Sequence, residues 1–462
     1  MRALTTPKLI DVDELRIGMF VHLDSGWMSH PFPLSNFRVA TAQQIATLRA
    51  IGLRQVRWSP EQSEIQAPAA PATPPAVQES GPERATPEAP AAVQKASPAP
   101  ATSAASEESA VRPAARRVNA AKAPPGEAQE HRRQLREQRM ALKVCEKQFG
   151  EAAEACKQIT DLVTTRPQEA RGQAEALTSA LAEKMLGEQD LCIRLLTESA
   201  GDRLSHHSLN VAVISLLLGR TFGFADADML DLGVGALLHD IGKVELPVRL
   251  RHRDDTFSAA ERRAYEEHVS HGVAIARRMG LSGGATLVVA QHHEYADGTG
   301  FPLKLGSDRM TLAARIVALV DRYDNLCNPY YLAQALTPHE ALSLLFAHGN
   351  SKYDTSILSG FIKMMGVYPP GSTVQLTDDR YAMVTAVSST RPLKPCVLVH
   401  DPLVPRDEAL VLDLEKAGDL GIRRSIKALD LPPAAFEYLA PRQRVAYFFE
   451  PARLERPSSV PG

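Results

Sequence analysis

A chain of 462 residues is long enough for two or three domains with a sizeable hydrophobic core. Its 52 basic and 54 acidic side chains give no net attraction to polymeric nucleic acid or to an anionic membrane surface. The five cysteines are odd in number and lack CxxC spacing, which excludes a disulfide framework and a zinc ribbon. Because no apolar run predicts a membrane span and the N-terminal residues lack the apolar stretch of a secretory signal, a cytoplasmic location is expected.

Residues 1–66 predict a small N-terminal α+β module, which is either a sensory or docking unit or only an accessory fold. Short apolar runs at 19–23 and 55–58 are strand candidates, and capping-box spacing at 41–44 predicts a helix between them. Residues 67–126 are dominated by Ala, Pro, Ser, Glu and Gln. Such a composition cannot bury enough apolar surface to offset chain entropy, so we expect a disordered linker.

Residues 127–196 are charged, rich in alanine and nearly free of glycine, which predicts a helical segment. Pro167 is expected to end one helix near Thr165, because the residue before a proline disfavours the α conformation. The segment either forms an antiparallel or coiled element of a homodimer or covers the domain that follows. The sequence leaves both alternatives open.

Residues 197–366 are again helical and are expected to form the catalytic domain. Beyond residue 367 the apolar period shortens, and residues 367–462 predict a small β-rich C-terminal module. Strand candidates at 372–376 and 382–387 flank a turn at Asp378 and Asp379, and further candidates lie at 396–400 and 445–449. The predicted fold class is therefore mainly α, with a small mixed module before the helical domain and a small β-rich module after it.

Histidines are concentrated in the helical domain, since eight of the fourteen lie between positions 206 and 293. Together with nearby aspartates they form an ordered series of candidate metal ligands: His207, His239, Asp240, His268, His292, His293 and Asp321. Imidazole and carboxylate groups suit Fe, Mn, Ni or Zn, and a carboxylate between two histidine groups can bridge two ions. A lone histidine would more often be structural, but the ordered set favours a metal site.

The predicted helices place these ligands at positions that can face a common cavity. His207 lies on an apolar helix face, and His268 lies on the inward face of a helix that opens with a capping box at 258–261. The pair at 239–240 comes just before Gly242, which is typical of a helix end. Asp321 lies within an apolar helix, where a carboxylate is costly unless it is paired or bound to metal.

Residues 207–326 resemble the HD-GYP domain, a bacterial branch of the HD phosphohydrolase superfamily. The resemblance is carried by Leu-Leu-His-Asp-Ile-Gly-Lys at 237–243 and by His-His-Glu-Tyr-Ala-Asp-Gly-Thr-Gly-Phe-Pro at 292–302. The N-terminal module and the C-terminal region look like the accessory regions of one subgroup of this family. The resemblance implies an HD-type helical bundle and a role in second messenger signalling.

The resemblance also implies an activity and a set of ligands. Family members hydrolyse cyclic di-GMP to linear pGpG and often on to GMP. One divalent ion would be held by His207, His239, Asp240 and Asp321, and a second by Asp240, His268, His292 and His293. Fe or Mn is preferred, with Ni, Zn or Mg as alternatives. Some members hold a third ion through a glutamate four residues before the first histidine, but Arg203 stands there, so two ions are expected.

The chain departs from the family pattern at two places that bear on turnover. Phe301 stands where the family usually has tyrosine, which removes a hydroxyl group. The segment 325–330 lacks the arginines that usually contact phosphate there. These departures leave the metal ligands intact and bear on substrate affinity and turnover.

Lys243, one turn after the His-Asp pair, is expected to contact the phosphate or stabilise the departing oxygen, with Asp240 at the centre of the catalytic site. The alternative for Lys243 is a solvated lysine favoured by the helix dipole. Arg315 would hold the other phosphate, or would instead pair with Asp321 or Asp324. The remaining substrate contacts are expected in the loop of Gly300, Phe301 and Pro302, while the groups that orient the ligands are Glu294, Asp297 and Asp324.

Three functions follow from these residues. The first is an active cyclic di-GMP phosphodiesterase. The second is a low-turnover cyclic di-GMP receptor or a protein-interaction module with a degenerate pocket, working with signalling partner proteins. The third is a hydrolase of another cyclic dinucleotide. The intact ligand set favours catalysis, whereas the altered positions at 301 and 325–330 favour binding.

Overall fold

The structure is a computed structural model that describes residues 8–22, 36–39, 45–46, 48–49, 54–63, 125–186, 190–196, 202–252, 254, 256–348, 351–388, 390–441 and 444–452. The predicted linker at 67–126 lies outside these ranges except for its last two residues. Among the described residues, no helix combines the length and apolar character that crossing a membrane requires.

The N-terminal module contains a small antiparallel sheet of strands β1 (Lys8–Asp11), β2 (Phe20–His22), β3 (Asn36–Arg38) and β4 (Gln55–Ser59). The strand order is β1-β4-β2-β3. Val21 and Val56 are buried in its core, because alternate residues of each strand point to the same face. The two strands predicted near residues 20 and 56 are present.

The main body is helical, and the predicted mainly α fold class is confirmed. Its helices are α1 (Pro125–Leu162), α2 (Pro167–Leu186), α3 (Arg203–Thr221), α4 (Asp226–Leu238), α5 (Ala259–Met279), α6 (Gly283–Gln291), α7 (Leu312–Cys327), α8 (Pro338–His348) and α9 (Thr355–Met365). Side-chain caps open several of them: Asp202 caps α3, and Ser258 with Glu261 completes a capping box on α5.

Helices α1 and α2 pack against the rest of the bundle. Phe149 and Ile159 of α1, together with Ala174 of α2, belong to the same hydrophobic core as the helices that follow. This packing favours the alternative in which the segment covers the next domain, and the homodimer stays a prediction. Pro167 stands at the first position of α2, where its missing N–H costs no helical hydrogen bond.

The prediction that residues 127–196 are helical is wrong at its C-terminal end. Residues Leu191–Leu195 form strand β5, in which Leu191, Ile193 and Leu195 are buried while the residues between them are not. This alternation has a period of two, but five residues are too few to stand out against the long helical stretch before them.

The C-terminal region forms a sheet together with β5. Its strands are β6 (Thr373–Leu376), β7 (Tyr381–Ser388), β8 (Cys396–Val399), β9 (Val411–Asp413), β10 (Ile422–Ile426) and β11 (Tyr447–Pro451), with a short helix α10 (Pro433–Leu439). The order is β10-β6-β7-β5-β11, with β8 and β9 branching from β7. The predicted hairpin at 372–387 is present, since β6 and β7 pair antiparallel. A single hydrophobic core contains residues from Cys145 to Phe449 and so spans three of the predicted units. The predicted domain boundaries therefore remain predictions.

The turn after α4 packs directly on the backbone of α5. Gly242 lies in this turn, and a Cβ atom built there would be 1.9 Å from the His268 carbonyl oxygen and 2.4 Å from the Gly272 nitrogen. Only a residue without a side chain permits this approach. The contact sets the distance between the pair at 239–240 and His268.

Replacing Gly242 with alanine should lower the free energy of unfolding by about 3 kcal/mol, because backbone atoms of α5 must move to admit the methyl group. Gly172→Ala is the matched control: it lies within α2 with open space around it, so alanine should stabilise the protein by roughly 0.5–1 kcal/mol. Urea unfolding followed by circular dichroism measures both changes. Equal stabilities of Gly242→Ala and the unaltered protein would contradict this packing.

Candidate metal centre

The seven candidate ligands come from five places in the bundle. His207 lies in the second turn of α3, His268 in the middle of α5 and Asp321 in α7. The other four occupy the positions directly after two helices: His239 and Asp240 follow α4, and His292 and His293 follow α6. A helix end frees the backbone to turn, so two consecutive side chains can reach one site.

The structure brings all seven residues together in two groups that share Asp240. One group is His207, His239, Asp240 and Asp321, and the other is Asp240, His268, His292 and His293. Within each group, one ligand atom of every residue lies within 4.8 Å of the others. The ligands expected from the sequence therefore converge, and Asp240 has one oxygen toward each group: Oδ2 is 3.5 Å from His239 Nε2, and Oδ1 is 3.5 Å from His268 Nε2.

Backbone carbonyls fix the orientation of three imidazoles. The Nδ1 atoms of His239, His268 and His292 donate to the carbonyl oxygens three residues earlier, at 2.7, 2.6 and 2.8 Å. Because a carbonyl oxygen only accepts, each ring carries its proton on Nδ1 and presents the lone pair of Nε2 to the site. This arrangement is typical of histidines that bind metal.

Four buried polar atoms of the site lack a hydrogen-bond partner within the described part of the chain. They are Asp240 Oδ1, His268 Nε2, His292 Nε2 and His293 Nε2. A buried acceptor without a partner costs about 1–3 kcal/mol. The oxygen of Asp240 and the Nε2 atoms of His268 and His292 are acceptors, so the residues fit a bound cation.

The pKa values of the imidazoles shift in opposite directions in the two ligand groups. Burial lowers the pKa of His268 to about 3, so this ring is neutral and able to coordinate. Burial also acts to lower the pKa of His239, but the carboxylates of Asp240 and Asp321 raise it to about 10. The carboxylates thus attract positive charge to this position, which a divalent ion would supply in place of the proton.

Asp324 supports His207 from behind. Its Oδ2 accepts from His207 Nδ1 at 2.6 Å, and its Oδ1 accepts from the side-chain amides of Asn210 and Asn328, each at 2.9 Å. Both amides also contact Val445: each Nδ2 donates to the Val445 carbonyl oxygen, at 3.0 and 2.9 Å. Asp324, proposed from the sequence as an orienting residue, therefore lies at the centre of a hydrogen-bond network behind the ligand.

The loop after His293 is organised by Glu294. This buried carboxylate accepts from the backbone amides of Leu303 and Leu305, at 2.6 and 2.9 Å. Gly300 lies against the start of the loop, where a Cβ atom would be 2.5 Å from the His293 carbonyl oxygen. Asp297 accepts from the amide and hydroxyl of Thr299 and so stabilises the turn at a distance from the ligands.

A cleft of about 360 Å³ opens beside the ligands. Lys243 lines it and donates to Asp240 Oδ2 at 2.5 Å. Phe301 is not among the lining residues, but its ring lies 4.6 Å from that of His293. Pro302 is likewise absent from the lining, and the Phe301–Pro302 peptide bond is cis.

The contact of Arg315 with phosphate stays a prediction that the structure does not support. Its guanidinium pairs with Asp354 at 2.5 Å, and it does not line the cleft. Because Arg315 lies one turn after the start of α7, it faces the cap of α9 and not the site. The alternative pairing with Asp321 or Asp324 is not seen either.

Several residues that line the cleft were not predicted as substrate contacts, among them Arg203, His252, Arg322 and Tyr330. Arg322 follows the ligand Asp321, and no ion pair joins it to an acidic side chain in the described ranges. A signal for Arg322 existed, because a cation next to a ligand on a helix lies near the same cavity. Nothing in the sequence marked His252.

Replacing Asp324 with asparagine should lower metal affinity about ten- to hundredfold, because the uncharged amide makes His207 a weaker ligand. Asp297→Asn removes a carboxylate that touches no ligand and serves as the control. Metal content after dialysis against graded chelator measures the effect. If both variants retain metal equally, Asp324 has no part in holding His207.

Two relatives are similar to this chain in sequence. The cyclic di-GMP phosphodiesterase PA4108 of Pseudomonas aeruginosa is 26% identical over 427 residues, which cover 89% of this chain and 90% of that protein. The 3'3'-cGAMP-specific phosphodiesterase 3 of Vibrio cholerae is 28% identical over 163 residues, or 35% of each chain. Among solved structures, the HDG"Y"P protein Bd1817 of Bdellovibrio bacteriovorus matches with a TM-score of 0.38 and 18% identity, covering 46% of this chain and 69% of that one.

Two family models match separate parts of the chain. Residues 7–108 match a domain of unknown function, DUF3391, which includes the described N-terminal sheet. Residues 162–357 match the HD domain, and this range contains every ligand of the metal centre. The family relationship expected from the two histidine motifs is confirmed over residues 162–357, which match the HD domain.

Proposed function

We propose that this protein is a metal-dependent phosphodiesterase that hydrolyses cyclic di-GMP to pGpG, GMP or both. The observation that carries the proposal is the position of Asp240 between two groups of imidazole and carboxylate ligands. Relatives named as cyclic di-GMP phosphodiesterases support the substrate, above all PA4108, which aligns along nearly its whole length.

The proposal includes two divalent ions. One would be held by His207, His239 and Asp321 and the other by His268, His292 and His293, with Asp240 contributing to both. When bound, such ions supply the Lewis acidity that activates water and neutralises phosphate charge. Nitrogen and oxygen ligands favour Fe or Mn, with Ni, Zn or Mg as alternatives. Arg203 lines the cleft and brings positive charge, which argues against a third cation beside it.

Lys243 would stabilise negative charge on the phosphate or on the departing oxygen. Burial acts to lower its pKa, but the adjacent carboxylate of Asp240 raises that pKa above its usual value. The ammonium group therefore stays protonated and acts as a fixed positive charge more than as a proton donor. Its contact with Asp240 supports a position of this charge beside a phosphate bound at the site.

Arg322 would hold the other phosphate of the cyclic dinucleotide. It lines the cleft next to Asp321, whereas Arg315 is engaged with Asp354. A guanidinium group can donate two parallel hydrogen bonds to phosphate oxygens. The chain thus has a cleft arginine even though the segment 325–330 lacks the family's arginines.

Purified protein loaded with Fe or Mn should linearise cyclic di-GMP, and His239→Ala or Asp240→Ala should reduce the rate at least a hundredfold. Each variant removes a ligand and leaves its partners buried without compensation. His271→Ala, on the same helix as His268 but outside both ligand groups, should retain most activity. Chromatography of the nucleotides measures the rate.

The nucleotides found after incubation distinguish the proposed function from a receptor and from a hydrolase of another cyclic dinucleotide. Metal-loaded protein that binds cyclic di-GMP but leaves it intact for hours would replace the proposal with the receptor. Faster hydrolysis of 3'3'-cGAMP than of cyclic di-GMP would replace only the substrate.

Arg322→Gln should raise the KM for cyclic di-GMP about tenfold, because a charge-assisted hydrogen bond to phosphate is lost. Arg315→Gln is the matched control on the same helix; it should lower stability through loss of the Asp354 pair and leave KM within about twofold. Steady-state kinetics and thermal unfolding separate the two effects. A KM change confined to Arg315→Gln would contradict the assignment.

A further inference from the structure

An aromatic ring stands at the mouth of the cleft, outside the metal centre. Tyr330 follows α7 and lines the cleft together with Lys243 and Arg322, yet 46% of its surface is exposed. A single exposed aromatic residue is common on protein surfaces, but a ring that lines a cleft beside cationic groups is accessible to a ligand. The exposed ring of Tyr330 therefore calls for a functional explanation.

Three side chains contact the ring of Tyr330, and one of them, Tyr331, meets it edge-on with centroids 5.0 Å apart. The imidazole of His252 stacks on the Tyr330 ring, with centroids 4.1 Å apart and planes inclined by 20°. The guanidinium carbon of Arg203 lies 4.9 Å from the Tyr330 centroid. These contacts cover part of the ring through stacking and a cation–π interaction, and they fix its orientation.

Arg203 is itself held in place, so the assembly is rigid before any ligand arrives. Its Nη1 donates to His252 Nδ1 at 3.1 Å, and its Nη2 donates to the Asn328 carbonyl oxygen at 3.3 Å. Since a guanidinium only donates, His252 Nδ1 must be the acceptor and the imidazole is neutral. A neutral ring next to Arg203 avoids the repulsion that a second cation would bring.

The pKa of His252 responds to charged groups of the metal centre as well as to Arg203. Burial and the charges of Arg203 and Lys243 together lower the pKa of His252 to about 4, although Asp240 acts in the opposite direction. The platform and the shared ligand therefore lie in the same cleft. A ligand of nucleotide size can reach both.

We propose that Tyr330, held by His252 and Arg203, is the platform on which one purine base of the cyclic dinucleotide stacks. The inference rests on the proposed function for its substrate class. The cleft combines a flat aromatic face with cations for phosphate, and a nucleotide needs both contacts. His252 and Arg203 are positioning residues, because they act through the tyrosine ring.

The test compares Tyr330→Leu with Tyr330→Phe. Leucine keeps an apolar side chain but removes the π face, so the dissociation constant and the KM for cyclic di-GMP should rise about tenfold, with kcat changed less than threefold. Phenylalanine keeps the face and should stay within about twofold of the unaltered protein. Calorimetric titration and steady-state kinetics on the metal-loaded full chain measure both quantities.

Metal content and the thermal unfolding midpoint detect a merely structural role, which would change both in Tyr330→Leu. Such losses, or unchanged affinity in Tyr330→Leu, would overturn the platform while hydrolysis by the unaltered protein upholds the proposed function. Conversely, an unaltered protein that binds cyclic di-GMP without cleaving it would refute hydrolysis, and the affinities of the two variants would still decide the platform. If the unaltered protein binds no cyclic di-GMP, both proposals fail.

Discussion

The carboxylate of Asp240 is the constraint on which the rest of the site depends. It stands at 3% exposure with one oxygen toward each ligand group, and burying that charge is costly unless cations or donors surround it. The helices satisfy this demand from several directions, through imidazoles after α4 and α6, an imidazole within α5 and the ammonium of Lys243. Gly242 permits the close approach of the α4 turn to α5 that brings these groups together.

Hydrogen bonds fix the side chains around Asp240, and further hydrogen bonds fix the groups behind them. Backbone carbonyls hold three imidazoles, Asp324 holds a fourth, and two asparagines hold Asp324. Beside the cleft, a second network of Arg203, His252 and Asn328, which shares Asn328 with the first, contacts an aromatic ring. One network prepares the groups that would meet phosphate, and the other prepares the surface that would meet a base.

The ligands were predictable because the two histidine motifs are local and dense, and because helix periodicity placed the remaining ligands on inward faces. Arg203 and His252 were not predictable as a pair, since 49 residues separate them and no local pattern encodes their contact. The pairing of Arg315 with Asp354 was not predictable, because the position of Arg315 on α7 did not reveal a carboxylate at the cap of α9. Strand β5 was missed because its pairing partners β7 and β11 lie almost 200 or more residues later.

The hydrogen bonds of Asn210 and Asn328 to Val445 connect the C-terminal part of the chain to His207. Asn210 and Asn328 accept from the backbone amides of Tyr447 and Val445 while donating to Asp324, so β11 and the residues before it form part of the support of His207. A displacement of that terminal strand would therefore be transmitted through two amide groups to an ion-binding imidazole. Through these contacts the position of β11 affects the support of His207. A change at this edge of the sheet would therefore alter the strength of ion binding.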